Sequence, residues 1–367
     1  MVNQTLGSAP ALWDGGRDDT LICRAVRQET HDVRTFVFSA PDARLFRYAP
    51  GQFITLELEV DGQTINRCYT LSSTPSSPDL VSITVKRVPN GPVSNWLHDN
   101  LKAGDALKVL GPSGGFSCFL HTMPAQQKYL FLSAGSGITP LMSMSRAMHD
   151  LALDTDIAFV HSARTPDDII FARELELMAF NRSSQFRLGF VCERRGAQPA
   201  WAGFNGFLSL AVLQNVAPDF LERKVFTCGP APYMAAVRTI LSAAGYDMAN
   251  YHEESFSFET LTLEAETGHD AEDPPAAVGA STHNINFFRT GDNVACGTDQ
   301  TILAAAKAAG MRLPASCTQG LCGTCKTKMV SGQVEMKHAG GIRQREIDQG
   351  WILPCCSKPL SDVVLER

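Results

Sequence analysis

The chain predicts three domains in series: an antiparallel β-barrel, an α/β domain with a parallel sheet, and a small C-terminal β domain built round a cysteine loop. Three observations predict this. From Leu21 to about Phe119, short alternating apolar runs are separated by turn signals, the pattern of a barrel or sandwich. From Gln127, continuous apolar runs alternate with helical runs, which argues parallel strands joined by crossover helices. Near the end, Cys317, Cys322 and Cys325 stand at C-x4-C-x2-C spacing.

We place the barrel at residues 19–124, the α/β domain at 125–258 and the cysteine domain at 282–367. Residues 1–18 carry no periodic pattern and read as a flexible tail. Residues 259–281 hold six acids and no Lys or Arg, beside Pro274-Pro275. A like-charged, proline-containing stretch repels itself and stays extended, so we read a linker.

Composition excludes several classes. Of 367 residues, 44% are apolar and 19% charged, an ordinary globular balance. The net charge of −6 is too mild to imply a nucleic-acid partner. No basic stretch followed by an apolar run marks a secretory signal. No stretch approaches the roughly 18 to 20 apolar residues of a membrane span. The eleven cysteines show no disulfide spacing, which fits a reducing, cytoplasmic compartment.

In the barrel, Val33–Ser39, Phe53–Val60 and Leu80–Lys86 alternate as strands, and Ala49-Pro-Gly51, Asp61-Gly62 and Pro89-Asn-Gly91 are the turns. Val93 to Leu101 reads as a short helix. Arg67-Cys-Tyr69-Thr70-Leu-Ser-Ser73 matches R-x-Y-(S/T)-x-x-S, and here the first two domains resemble the ferredoxin–NADP reductase family. The resemblance implies a bound flavin. Arg67 would pair with its phosphate, Tyr69 would line the isoalloxazine, and Thr70 would donate to N5. Ser73, Lys86, Val93 and Ser94 are implied as further contacts. Pro50-Gly-Gln-Phe53, Gly91-Pro-Val-Ser94 and Gly111-Pro-Ser-Gly-Gly115-Phe116 support the match. The amides opening the short helix suit a pyrophosphate. The Gly-Pro-Val-Ser loop looks like the FAD branch of the family, with FMN the alternative.

In the α/β domain, Tyr129–Ala134 reads as a buried strand. A turn, Gly135-Ser-Gly137-Ile-Thr139-Pro140, and a helix over Leu141–Leu151 follow it. The glycines permit a tight turn and a close diphosphate approach. The loop lacks the third glycine of the usual dinucleotide fingerprint, yet it matches the reductase family's G-x-G-x-T-P. Further strands are Ile157–His161, Phe186–Val191 and Lys224–Cys228, with helices Phe171–Phe180 and Tyr233–Ala244. Cys228-Gly229-Pro230 and Met234 suit the family's second contact near the nicotinamide. Ser162 and Arg164 fall where the adenine ribose lies. Asp167 and Asp168 beside them oppose a 2′-phosphate, so NADH is favoured over NADPH. Phe256 stands where the family places an aromatic over the flavin, although core packing serves equally. The resemblance makes Thr70, Cys228 and Phe256 the residues nearest the chemistry.

In the last domain, C-x4-C-x2-C is the plant-type ferredoxin spacing for a [2Fe–2S] cluster. A structural zinc site would show paired C-x2-C units. Ten Lys and Arg against seven Asp and Glu leave +3 over 284–367. Strand alternation lets only one of Cys355 and Cys356 face a cluster. Resemblance to ferredoxins, in Pro314-Ala-Ser-Cys317 and Ile352-Leu-Pro-Cys355, implies a β-grasp fold and selects Cys355 as fourth ligand after Cys317, Cys322 and Cys325. Cys356 is then a buried apolar filler.

Over its full length the sequence resembles reductase subunits of Rieske-type oxygenases. Val93–Asp99 and Phe171–Met178 are similar to those serving glycine-betaine or related quaternary-amine monooxygenases. The resemblance implies electron flow from NAD(P)H through flavin and cluster to a terminal oxygenase. The same stretches resemble reductases of hybrid-cluster proteins. An iron–sulfur redox sensor is the reading from another class, and the intact hydride and flavin motifs argue against it.

Overall fold

The computed structural model describes residues 10–15, 18–60, 62–121, 123, 126–196, 201–255, 282–313, 315, 320, 325–338, 342 and 344–367. The chain divides into two compact units, Met1–Phe256 and Ser257–Arg367.

The first unit opens with β1 (Ala11–Leu12), which pairs in parallel with β4 (Arg44–Leu45). The expectation of a loose tail over 1–18 therefore fails for residues 10–15. Trp13 is buried in the barrel core, lies 5.2 Å from the Phe46 ring, and donates from Nε1 to the Gly111 carbonyl at 2.9 Å. One large aromatic is enough to fix a short segment that has no periodicity of its own.

The barrel is β2 (Thr20–Thr30), β3 (Val33–Ser39), β5 (Phe53–Val60), β6 (Gln63–Thr70), β7 (Val81–Lys86) and β8 (Ala106–Ser113). They run in the order β6-β5-β8-β2-β3-β7, and every pairing is antiparallel. A bridge from Leu71 to Ile83 closes the ring. Phe36, Phe38, Leu56, Leu71 and Ile83 fill it at 0% exposure, each worth about 1.5–3 kcal/mol of burial. Helix α1 (Pro92–Asn100) caps one end through Val93 and Leu97.

The α/β half is a parallel sheet in the order β12-β11-β10-β9-β13-β14. Its strands are β9 (Gln127–Ala134), β10 (Thr155–Ala163), β11 (Phe186–Cys192), β12 (Phe204–Asn205), β13 (Lys224–Gly229) and β14 (Tyr251–Ser255). Helices α2 (Ile138–Asp150), α3 (Ala172–Asn181), α4 (Leu210–Val216) and α5 (Ala231–Ala243) cross between them. The central strand β9 is buried from Tyr129 to Ala134, which explains its unbroken apolar run. Strand order reverses at β9, so the loops after β9 and β13 flank the crevice where such sheets bind ligands.

In the second unit, β15 (Thr282–Phe287), β16 (Asp292–Gly297), β17 (Thr327–Ser331), β19 (Trp351–Ile352) and β21 (Val363–Leu365) form a mixed sheet in the order β16-β15-β21-β17-β19. Only β15 and β21 pair in parallel. β18 (Val334–Met336) pairs with β20 (Ser357–Pro359). The helix Ile302–Ala308, capped by Thr301, lays Ile302, Ala305 and Ala306 on the sheet, completing a β-grasp.

Candidate redox site

The flavin motif lies on β6 and the turn beyond it. Arg67 and Tyr69 share one face of the strand, opposite Leu56 and Ile54 of β5. Thr70 ends the strand at 5% exposure, and its Oγ1 is buried with no hydrogen-bond partner. A buried hydroxyl left unmatched costs about 1–3 kcal/mol, so this atom suits a flavin, whose ring nitrogens accept hydrogen bonds.

Other expected contacts are committed to the protein. Ser73 Oγ accepts from the Ser82 amide at 2.9 Å and lies 2.8 Å from the Tyr48 hydroxyl. Ser94 Oγ accepts from the Val88 amide at 3.1 Å and donates to the Gly91 carbonyl. Val93 is 2% exposed in the barrel core. These side chains shape the loop. What remains for an anion is the first turn of α1, which has no side-chain cap and no acid.

The nucleotide motif divides between its two glycines. Gly135 has φ +53°, and a Cβ there would meet nothing within 4 Å. Its backbone is thus open to a ligand. A Cβ on Gly137 would stand 2.3 Å from the Cys228 carbonyl oxygen and 2.6 Å from the Gly229 nitrogen. Gly137 therefore lets the two strand-end loops approach closely. Thr139 and Pro140 are buried in the opening of α2, with Thr139 Oγ1 donating to the Ser136 carbonyl at 3.1 Å.

Cys228 is fully buried and pairs across strands with Glu254. Burial, then the Glu254 charge, pushes its thiol well up, so it stays protonated at neutral pH. Pro230 is the N-cap of α5, and Met234 is buried on that helix. Ser162 and Tyr233 hydroxyls are both buried beside the crevice. Phe256 lies outside the described residues.

Helix α2 ties the two motifs together. Ser143 Oγ donates to the Ser73 carbonyl at 2.6 Å, and Arg146 donates to the Ser72 carbonyl. Glu174 holds Arg146 through a fork of 2.7 and 2.6 Å, and the guanidinium lies over the Phe171 ring at 4.5 Å.

Two of the three expected cofactor cations, Lys86 and Arg164, already have carboxylate partners. Lys86 Nζ lies 3.7 Å from Asp32. Arg164 Nη2 bonds Asp32 at 3.2 Å and Asp168 at 3.1 Å. Burial pushes the Asp168 carboxyl up, but Thr165, Arg164 and His31 together hold it below its usual range.

Sequence reasoning missed Ser143, Arg146, Asp32 and His161. His161 is wholly buried behind the nucleotide loop, with Nδ1 2.8 Å from Ser133 Oγ. Burial, aided by the Lys86 charge, pushes its pKa down to about 3, so the ring is neutral. Its place at the end of an apolar run was the only available signal.

In the second unit, Cys325 and Cys355 are 2% and 6% exposed and share an apolar cluster with Ile342 and Leu353. Two thiols in a dry, apolar setting suit a thiolate-ligated cluster. Cys317 and Cys322 lie outside the described residues. Cys356 is half-buried rather than buried; its Sγ donates to the Leu353 carbonyl at 3.6 Å, and the side chain packs against the cluster of Cys325 and Leu353.

Together the folds and motifs define a flavin- and nicotinamide-binding reductase with an iron–sulfur domain. Family models agree: an oxidoreductase FAD-binding domain over residues 21–118, an oxidoreductase NAD-binding domain over 131–239, and a 2Fe-2S iron-sulfur cluster binding domain over 287–360. The chain is 49% identical over 357 residues to the glycine betaine monooxygenase reductase subunit of Pseudomonas aeruginosa, covering 96% of each. It is 44% identical over 351 residues to a stachydrine N-demethylase reductase subunit of Rhizobium meliloti, covering 95% of this chain and 96% of that one. Its fold matches phthalate dioxygenase reductase at TM-score 0.55 and 23% identity, over 95% of this chain and 97% of that one. The chain belongs to the family of monooxygenase reductase subunits that join FAD-binding, NAD-binding and 2Fe-2S domains in one polypeptide. No helix among the described residues is long and apolar enough to cross a membrane.

Proposed function

We propose that this cytoplasmic protein takes electrons from NADH and hands them singly to a terminal oxygenase that demethylates a quaternary amine such as glycine betaine or stachydrine. The observation that carries this reading is the α2 connection. One helix begins at the nucleotide loop and hydrogen-bonds the end of the flavin motif through Ser143 and Arg146. Hydride donor and acceptor sites held by one rigid element suit a transfer that tolerates little misplacement.

Bound flavin supplies two-electron acceptance and one-electron release, and a [2Fe–2S] cluster passes the electrons on. The residues do the rest. Arg67 and the first-turn amides of α1 would hold the flavin's phosphates. Tyr69 would line the ring, and Thr70 Oγ1 would donate to N5. The open backbone at Gly135 would receive the NADH diphosphate. Cys228, Gly229 and Pro230 would bound the nicotinamide, while the protonated Cys228 thiol adds no charge there. Arg164, engaged by Asp32 and Asp168, is not offered to a 2′-phosphate, which favours NADH. Cys317, Cys322, Cys325 and Cys355 would ligate the cluster.

Anaerobic NADH added to reconstituted protein should bleach both flavin and cluster absorbance. Unchanged absorbance of a fully loaded sample would refute the relay. Removing residues 282–367 should leave NADH-driven reduction of a one-electron dye but abolish delivery to the oxygenase. Persistent delivery would show that the cluster is not on the route.

A further inference from the structure

Arg367 lies just past β21, and its guanidinium is half-buried. Nη1 donates to Thr327 Oγ1 at 3.2 Å, and that hydroxyl donates to the Cys325 carbonyl at 2.9 Å. Thr327 and Cys325 are both buried. Three other cations of this unit have carboxylate partners: Lys326 with Glu346, Arg289 with Glu366, Lys337 with Glu335. Among the described residues, no carboxylate pairs with Arg367. A partly desolvated cation without a counter-ion is costly unless an anion lies near it.

We propose that Arg367 is the counter-charge of the [2Fe–2S] centre, a positioning residue that braces the Cys325 segment through Thr327 and raises the centre's reduction potential. The proposal rests on reading Cys325 as a cluster ligand. One electron from the reduced flavin takes two ferric irons to one ferric and one ferrous. No bond or proton moves, so the centre gains one negative charge. The Ile342 and Leu353 side chains packed against Cys325 and Cys355 keep the local dielectric low, so a fixed cation favours the more negative state. Charge and hydrogen bonding near the sulfurs are among the factors that set such potentials.

The test is a spectroelectrochemical titration of the reconstituted full chain, with iron content and visible spectrum recorded first. In Arg367→Gln the cluster midpoint should move negative by about 59 mV or more, a tenfold loss in the flavin-to-cluster electron equilibrium. Arg367→Lys, which keeps the charge, should recover most of that shift. Thr327→Val, which keeps the cation but cuts the relay, should give a smaller negative shift and serves as second readout if Arg367→Gln loads poorly. An unmoved midpoint in cluster-bearing Arg367→Gln, or in Thr327→Val where the first does not load, overturns the proposal and leaves the relay intact. Wild-type protein that holds no iron after reconstitution would instead remove the cluster reading itself.

Discussion

Replacing Gly137 by alanine should damage catalysis more than its single methyl suggests. The added Cβ would stand 2.3 Å from the Cys228 carbonyl oxygen, 2.5 Å from its carbon and 2.6 Å from the Gly229 nitrogen. Ordinary carbon contacts begin at roughly 3.5 Å, so the loops after β9 and β13 must part by about 1 Å. All three opposing atoms are backbone, and no side-chain rotation relieves them. Overpacking of this kind costs about 1–3 kcal/mol, or roughly 2–12 °C in Tm for a unit of this size. A 1 Å misplacement of reacting groups costs on the order of 10²-fold in rate. Gly135→Ala is the matched control. It meets no atom, and its left-handed φ of +53° costs about 1–2 kcal/mol. Its methyl would crowd the diphosphate, so it should raise KM for NADH while Gly137→Ala lowers kcat. The assay is NADH-driven reduction of a one-electron dye, with thermal melting of the FAD-loaded protein. The reasoning fails if Gly137→Ala melts within about 1 °C of wild type and keeps kcat within roughly twofold.

Two other perturbations have definite outcomes. Cys355→Ser should lose iron and visible absorbance while Cys356→Ser keeps both, and the reverse result would reassign the fourth ligand. His161 should make the protein acid-labile. Its folded pKa is about 3, below the unfolded value of about 6.5. Between these values the unfolded chain binds the extra proton, so stability rises with pH and is lost as pH falls, by up to about 1.4 kcal/mol per pH unit from this residue. His161→Gln should flatten the Tm profile between pH 6.5 and 5, and an unchanged slope would clear His161.

The motif-bearing parts were legible because each obeys a local rule. Arg67-x-Tyr-Thr sits on a strand because its neighbours alternate, and Gly135 marks a turn because its φ is positive. Of the four expected cluster ligands, Cys325, set by spacing, and Cys355, chosen by resemblance, are both buried. Trp13 was illegible because one aromatic without periodicity gives no pattern, yet it pins residues expected to be loose. Ser73 and Ser94 were expected as cofactor contacts, and their hydroxyls also accept from backbone amides nine and six residues away, a pairing set by how the loops fold back.

What the sequence determined by itself was the order of domains and the chemistry each can hold, since strand alternation, glycine turns and cysteine spacing act over a few residues. What only the tertiary structure decided was which groups meet. Asp32 comes from a hairpin turn far from Arg164 in the chain, Arg146 reaches Ser72 across two domains, and Arg367 arrives beside Thr327, two residues from Cys325, through strand pairing. Charges brought together by folding leave no trace in local pattern, because their partners are chosen by the packing of whole sheets.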